Sequence, residues 1–193
     1  GRQDLFIANG HIQSNIADYD PTTSYAQRNR LYHNTPSQDT GGAGYEDVTV
    51  SAGDGLAIRK VSRGTAAGDI DNDGDVDIVV SNANDTPDVL RNDTSLGASL
   101  TVQLVGTTSN ASGIGAEVHA TVGGLRIVKE ARSGGSYVSQ SDTRIHIGAG
   151  ASGVVHPLEV RWPSGTVDTM ENVPTGQRIR IVEGTGIVDA WPQ

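Results

Sequence analysis

The chain contains no cysteine, and its 14 lysines and arginines are outnumbered by 23 aspartates and glutamates. The lack of cysteine excludes disulfide bonds. The deficit of basic residues leaves a net charge of −9, so nucleic acid and anionic membrane surfaces are not expected partners. No run of about 18 apolar residues is present, and we therefore expect no insertion into a membrane.

Catalytic motifs are also missing. The five histidines are scattered, with no pair at the spacing of zinc ligands, and no Gly-x-Ser-x-Gly nucleophile motif occurs. The sequence therefore does not predict an enzyme. What the 193 residues do contain is 25 glycines and many short segments in which apolar and polar residues alternate. This composition favours one or two β-rich domains.

The most informative segment is acidic. Aspartates occupy every second position over nine residues, at Asp69, Asp71, Asp73, Asp75 and Asp77. Carboxylates this close repel one another unless a cation lies among them, and ligands that are all oxygen select a hard ion such as Ca²⁺. Gly74 supplies the sharp turn, and the β-branched run from Ile78 onward predicts a strand. We expect a calcium loop that leads into this strand.

This loop is not an EF-hand. Counted from Asp69, the twelfth position is Val80, where an EF-hand loop has a bidentate glutamate. No helical pattern flanks the loop. The alternative of an acidic turn without metal stays open at this point.

A repeat extends through the first half of the chain. Asp4-Leu5-Phe6-Ile7 is similar to Asp77-Ile78-Val79-Val80, and Leu31-Tyr32-His33-Asn34 is similar to Val89-Leu90-Arg91-Asn92. The alignment places Gly1 on Gly74, the sixth position of a second calcium loop. We therefore expect Gly1 to be a cut point within a longer polypeptide.

Gly64-Thr65-Ala66-Ala67-Gly68-Asp69, followed by the acidic loop and its strand, resembles the FG-GAP or VCBS repeat of integrin-α-type β-propellers. The resemblance implies that Asp69, Asp71, Asp73, Asp75 and Asp77 bind calcium, with Asp75 acting through its main-chain carbonyl. Residues 1–94 hold about a blade and a half, whereas a propeller needs about four to eight blades. The resemblance therefore implies N-terminally truncated propeller blades in this region.

The second half predicts a β-sandwich or barrel. Seven short alternating segments are separated by glycine-rich turns: Ser99–Val105, Ala116–Val122, Leu125–Ala131, Arg144–Ile147, Leu158–Trp162, Val167–Met170 and Arg178–Val182. Gly123-Gly124 and Pro163-Ser164-Gly165 are expected to close two hairpins. His119 and His146 alternate with apolar residues on these strands, and we expect both to face solvent.

Four motifs occur in order along this half: Gly113-Ile114-Gly115-Ala116, Arg132-Ser133-Gly134-Gly135-Ser136-Tyr137, Ser139-Gln140-Ser141-Asp142 and Val160-Arg161-Trp162-Pro163-Ser164-Gly165. Together they resemble the ASPIC/UnbV domain of cartilage acidic protein-like secreted proteins. In that family the domain follows VCBS repeats. The resemblance implies three regions: propeller blades at 1–94, an ASPIC/UnbV-like sandwich at 95–185 and a C-terminal tail at 186–193.

Arg132–Asp142 is a polar loop with one tyrosine, and two interpretations of it remain open. In the first interpretation the loop binds a glycan, with Tyr137, Arg132 and Trp162 as contacts. In the second interpretation, which we favour, Tyr137 and Trp162 pack on the sandwich and Arg132 pairs with Asp142.

The sequence as a whole predicts an all-β, calcium-binding structural or adhesion module of a secreted or cell-surface protein. Protein partners or self-assembly, including a filament, are expected because an incomplete propeller exposes strand edges. A carbohydrate-binding adhesin and the non-catalytic part of a larger secreted enzyme are the alternatives.

Overall fold

A computed structural model describes residues 2–36, 43–94 and 97–193 of the chain. The fold is all-β, as predicted, and the described residues contain two short 3-10 turns, Ile16–Asp18 and Asp54–Ala57, but no α-helix. In this part of the chain, no helix is long and apolar enough to cross a membrane. Gly1 and the predicted boundary at residue 95 lie outside the described residues.

The N-terminal half forms small antiparallel sheets. Its strands are β1 (Leu5–Ile7), β2 (Gln27–Arg28), β3 (Arg30–Pro36), β4 (Ala43–Asp47), β5 (Arg59–Lys60), β6 (Ser62–Gly68), β7 (Asp77–Asn82) and β8 (Asp88–Leu90). Two sheets have three strands each, in the orders β1-β3-β4 and β6-β7-β8, and β2 pairs with β5. β7 carries the β-branched run Ile78-Val79-Val80, which favours a strand by itself. The other strands of this half have few β-branched residues and depend on pairing with their neighbours.

The repeat seen in the sequence is reproduced in the pairing of the strands. Leu5 lies opposite Tyr32 in the first sheet, and the aligned Ile78 lies opposite Leu90 in the second. The aligned aspartates Asp4 and Asp77 have equivalent partners, since Asp4 Oδ1 accepts the backbone N–H of Asn34 at 2.9 Å and Asp77 Oδ1 accepts that of Asn92 at 2.8 Å. The two segments therefore fold as copies of one unit.

The C-terminal half consists of two facing sheets. Its strands are β9 (Ala98–Val105), β10 (Glu117–Val122), β11 (Leu125–Glu130), β12 (Ile145–Gly150), β13 (Val154–Val155), β14 (Leu158–Arg161), β15 (Val167–Met170), β16 (Val173–Pro174), β17 (Gln177–Val182) and β18 (Gly186–Pro192). The sheet orders are β11-β10-β14-β15 and β12-β9-β17-β18, with β13 paired to β16. The arrangement is sandwich-like, and its described strands do not close into a barrel.

All seven predicted strands of this half are present, within a few residues of the predicted bounds. Gly123 and Gly124, with φ of 55° and 83°, form the two-residue turn between β10 and β11, a conformation that favours glycine. Residues 186–193 were predicted to be a tail, but Gly186–Pro192 form β18, which pairs with β17. Trp191 on β18 packs over the guanidinium of Arg180 at 5.5 Å, and this contact helps to hold the last strand in the sheet.

The hydrophobic core lies between the two sheets of the sandwich. The strands alternate apolar and polar residues, so that each sheet turns its apolar face toward the other. The buried residues of this cluster are Leu100, Val102, Leu104, Ala116, Val118, Ala120, Val122, Ile127, Ala131, Ile145, Ile147, Ala149, Val155, Leu158, Val160, Trp162, Val173, Ile179 and Ile181.

Glu183 is a buried carboxylate at the end of β17 that the sequence did not single out. Its side chain accepts the backbone N–H groups of Thr107, Thr108 and Ser109 at 2.8–2.9 Å, and the Ser109 and Ser164 hydroxyls also donate to it. Burial acts to raise the pKa of Glu183, but these hydrogen bonds outweigh it and lower the pKa to about 2. The carboxylate thus fixes the loop that follows β9.

The polar loop Arg132–Asp142 covers the free edge of β6. The backbone N–H of Asp142 donates to the Ala67 carbonyl at 2.9 Å, and the Ala67 N–H donates to the Ser141 hydroxyl at 3.2 Å. An open sheet edge carries unpaired backbone groups. The loop pairs with some of them and joins the sandwich to the N-terminal half.

Gly64 on β6 gives a test of this contact. A Cβ at this position would lie 2.2 Å from the Ser139 hydroxyl and 2.5 Å from the Tyr137 carbonyl. We expect Gly64→Ala to lower the free energy of unfolding by about 1–3 kcal/mol, the usual cost of overpacking, as measured by urea denaturation. Gly135→Ala in the same loop is the control, because a Cβ there meets nothing within 4 Å. Equal stability of the two variants would contradict the contact.

Candidate metal centre

The acidic segment forms the turn between β6 and β7. Gly68 pairs with Asp77 across the base of this hairpin. Within the turn, Asn72 and Gly74 have left-handed backbones, with φ of 63° and 96°. Asparagine tolerates this conformation and glycine favours it, so these two residues allow the chain to curl tightly around its own carboxylates.

Three of the five predicted ligands converge. Asp69, Asp71 and Asp77 each offer a carboxylate oxygen, and these oxygens lie within 4.8 Å of one another. Asp69 and Asp77 are only 3% and 1% exposed, whereas Asp71 lies at the surface. Buried carboxylates this close are unfavourable unless a cation compensates them.

One oxygen of the cluster lacks a donor. The Asp69 Oδ2 accepts the Gly74 N–H at 3.3 Å, but the buried Asp69 Oδ1 has no hydrogen-bond partner among the described residues. By contrast, the Asp77 oxygens accept the N–H groups of Ile70 and Asn92. Buried polar atoms nearly always have a hydrogen-bond partner. A cation bound at Asp69 Oδ1 would supply the partner that this oxygen lacks among the described residues.

Asp73 and Asp75 do not join the converging group. The Asp73 carboxylate accepts the Asp75 N–H at 2.9 Å, as is common in tight turns. Both residues line a cleft of about 480 Å³ that also borders Asp93 and Ser99. Their roles as ligands, including that of the Asp75 carbonyl, stay predictions.

The electrostatics of the turn favour a bound cation. Burial raises the pKa of Asp69, against the lowering effects of the Gly74 N–H and of the Arg144 charge. Burial also raises the pKa of Asp75, and repulsion from Asp73, Asp69 and Asp77 adds to this effect. Raised pKa values mean that the ionised carboxylates cost free energy in the folded state when no cation is present.

The donor set fits a hard ion. The converging ligands are all carboxylates, with no histidine among them, and the chain has no cysteine. Oxygen ligands of this kind suit Ca²⁺ or Mg²⁺ rather than Zn²⁺. Ca²⁺ accepts varied arrangements of carboxylate and carbonyl oxygens, whereas Mg²⁺ demands a near-octahedral set.

Two arginines of the sandwich contact this turn. Arg144, just before β12, and Arg178, on β17, both donate to Asn72 Oδ1, at 2.8 and 2.6 Å. They lie 72 and 106 positions from Asn72 along the chain. No local pattern in the sequence indicates such contacts, and sequence reasoning therefore missed both residues.

The favoured interpretation of the Arg132–Asp142 loop is only partly correct. Trp162 is a core residue, 4% exposed, and its indole N–H donates to Asp168 Oδ2 at 2.7 Å. Tyr137, however, is 68% exposed and does not pack on the sandwich. Arg132 pairs with Glu130 instead of Asp142, because the neighbouring Arg144 takes Asp142 at 2.6 Å.

The prediction that His119 and His146 face solvent is only partly correct. His119 points away from the core but is covered by Glu117 and Arg126, at 2.9 and 3.0 Å. The His146 Nδ1 is buried, and burial, together with the charge of Lys129, lowers the pKa of His146 to about 4. The outer face of its sheet is covered, since the opposite residue, Thr101, is buried too.

The fold and the turn define an all-β protein in which an acidic hairpin turn joins small sheets to a sandwich. The sequence of residues 106–188 matches the protein family described as ASPIC and UnbV. An ASPIC/UnbV domain therefore occupies these residues, as the sequence motifs predicted. Comparison with curated proteins gives no match. The resemblance of residues 1–94 to FG-GAP/VCBS repeats has no matching family model and stays a prediction.

Asp69→Asn tests the strain in the turn. In chelator at pH 7, we expect the variant to melt about 2–4 °C higher than the wild type, the shift that about 1 kcal/mol gives in a chain of this size. An amide in place of the carboxylate removes repulsion and lets Nδ2 donate to the neighbouring carboxylates. Calcium is expected to stabilise the wild type but not the variant.

The same difference depends on pH. Because the folded-state pKa of Asp69 is raised, the folded protein binds more protons than the unfolded chain above about pH 4, and its stability falls as pH rises. The advantage of the variant in chelator should therefore grow between pH 4 and pH 7, measured by thermal unfolding. A variant less stable than the wild type in chelator at pH 7 would contradict this account.

Proposed function

We propose that the β6–β7 turn binds one Ca²⁺ and that this chain is a calcium-stabilised structural or interaction module, not an enzyme. The observation that carries the proposal is the buried Asp69 carboxylate, whose Oδ1 has no donor in the part of the chain that the structure describes and which converges with the carboxylates of Asp71 and Asp77. A cation at this point satisfies the orphaned oxygen and neutralises the repulsion. Such a site couples ion binding to the stability of the fold.

The proposed ion favours a location outside the cell. Extracellular calcium modules typically bind with Kd of about 10⁻⁴ to 10⁻³ M, and the partly exposed Asp71 is typical of a site of modest affinity. We therefore propose a secreted or cell-surface protein. The net charge of −9 favours protein partners over nucleic acid.

We also propose that the N-terminal sheets are parts of propeller blades. If β1 is superposed on β7 and β3 on β8, the two three-stranded sheets combine into one order of four strands, β6-β7-β8-β4. Propeller blades have four strands. The matched registers and the matched roles of Asp4 and Asp77 support this assignment.

The N-terminal half exposes apolar side chains, and these are the basis for proposing partners. Its described buried hydrophobic residues are Leu56, Val61 and Val80, far fewer than those of the sandwich, while Leu5 and Val89 are exposed. We propose that further blades, or other chains including copies of this one, cover these apolar faces. A glycan is the weaker alternative, because the burial of Trp162 removes one of its three predicted contacts.

The experiment is thermal unfolding with calcium, with excess chelator and with magnesium. With calcium at about 100 times its Kd, binding adds about 2.7 kcal/mol, which raises the melting temperature by roughly 5–10 °C in a chain of this size. Magnesium is expected to give a much smaller shift. Light scattering in the same buffers tests whether the chain assembles. A monodisperse monomer in calcium would contradict the proposed self-assembly.

Two variants sharpen this experiment. Asp71→Asn removes a converging carboxylate and is expected to lose most of the calcium shift. Asp18→Asn changes the same charge at an exposed residue whose side chain has no hydrogen bond or ion pair among the described residues, and it should keep the whole shift. An equal calcium response in the two variants would place the ion elsewhere, and no response in the wild type would refute the proposal.

A further inference from the structure

The apex of the acidic turn is held by the sandwich. Asn72 Oδ1 accepts two guanidinium N–H groups, from Arg144 at 2.8 Å and from Arg178 at 2.6 Å. Asn72 itself has a left-handed backbone, with φ of 63°. Hydrogen bonds from charged donors are stronger than those between neutral groups, so this pair fixes both the side chain and the curl of the turn.

The backbone of the turn is held by the same sheet. Arg144 also donates to the Asp69 carbonyl at 2.6 Å, and the Ser99 hydroxyl on β9 donates to the Gly74 carbonyl at 2.9 Å. The approach is close, because a Cβ on Gly74 would lie 3.0 Å from the Ser99 Oγ. Ser99 and Arg178, on β9 and β17, and Arg144, just before β12, thus contact the turn at residues 69, 72 and 74.

The two arginines do not bond to the converging carboxylates. Arg144 and Arg178 bond to amide oxygens of the turn and not to the carboxylates of Asp69, Asp71 or Asp77. The carboxylate partner of Arg144 is Asp142, outside the turn, and Arg178 has none among the described residues. Two cations beside an acidic turn would form ion pairs if neutralisation were their role. The arginines instead hold the turn in place, and the carboxylate oxygens of Asp69, Asp71 and Asp77 stay available to a cation.

We infer that Arg144 and Arg178 are positioning residues of the cation site, acting through Asn72, so that the sandwich organises the turn for binding. This inference rests on the proposed calcium function. The second observation that points to a ligand is Asp69, 3% exposed, whose Oδ1 has no hydrogen-bond partner among the described residues and whose carboxylate offers an oxygen within 4.8 Å of those of Asp71 and Asp77. By linkage, a cation that binds the ordered turn also strengthens the contact between the sandwich and the β6-β7-β8 sheet.

Asn72→Gly tests the inference without a change of charge. Glycine keeps the left-handed backbone but removes the acceptor of both arginines. We expect the calcium Kd, measured by isothermal titration calorimetry, to rise about 10-fold, the scale set by losing hydrogen bonds to charged groups. Asn84→Gly is the matched control, because Asn84 also has a positive φ, of 54°, and its side chain has no hydrogen bond among the described residues.

Arg178→Gln tests the sign of the effect. If the arginine acted only as a nearby charge, its removal would reduce repulsion and tighten calcium binding. Positioning predicts the opposite, a Kd that rises several-fold. Arg91→Gln supplies the comparison, since Arg91 lies 3.9 Å from the Asp71 carboxylate and pairs with Asp93 without contacting Asn72. We expect it to bind calcium as tightly as the wild type or more tightly.

Amide hydrogen exchange in chelator provides a readout that does not need the ion. The Ile70 and Gly74 N–H groups donate to the carboxylates of Asp77 and Asp69, and we expect both to exchange faster in Asn72→Gly than in Asn84→Gly. Unchanged exchange, or an unchanged or tighter Kd in Asn72→Gly and Arg178→Gln, overturns the inference. A wild type that binds no calcium refutes the proposed function, while the exchange result still decides whether the arginines position the turn.

Discussion

The burial of the Asp69 carboxylate is the constraint on which much of this structure depends. A carboxylate that is 3% exposed, with one oxygen that has no donor among residues 2–36, 43–94 and 97–193 and with two further carboxylates nearby, is unfavourable by itself. The chain tolerates it at the junction of its two halves. Asn72 and Gly74 give the curl, and the sandwich supplies the donors that hold it. A bound cation would offset this unfavourable burial and strengthen the link between the halves.

The two halves differ in how they are stabilised. The sandwich has a continuous apolar core between its sheets and internal anchors such as Glu183. The N-terminal sheets bury few apolar residues and depend on contacts at their margins. The Arg132–Asp142 loop pairs with the edge of β6, and the acidic turn packs on the outer face of the β12-β9-β17-β18 sheet. The polar loop thus has a structural role at this junction.

Local sequence patterns predicted much of the fold. Alternation and glycine turns gave the seven sandwich strands, and the repeat gave matched pairing at Asp4 and Asp77, because these features depend on neighbouring residues. Strand β18 was missed because Asp189 and Pro192 interrupt the alternation, and its pairing depends on β17. The burial of His146 and the contacts of Arg144 with Asn72 depend on how distant segments meet, which no local spacing records. For the site, the spacing of aspartates predicted the turn but not which three carboxylates converge.

The most direct test of the account is a crystal structure with calcium, in which anomalous scattering locates the ion. The account predicts one anomalous peak in the β6–β7 turn, about 2.3–2.6 Å from oxygens of Asp69, Asp71 and Asp77, with Asn72 still bonded to Arg144 and Arg178. A peak elsewhere in the chain, or an empty turn at millimolar calcium, would contradict it.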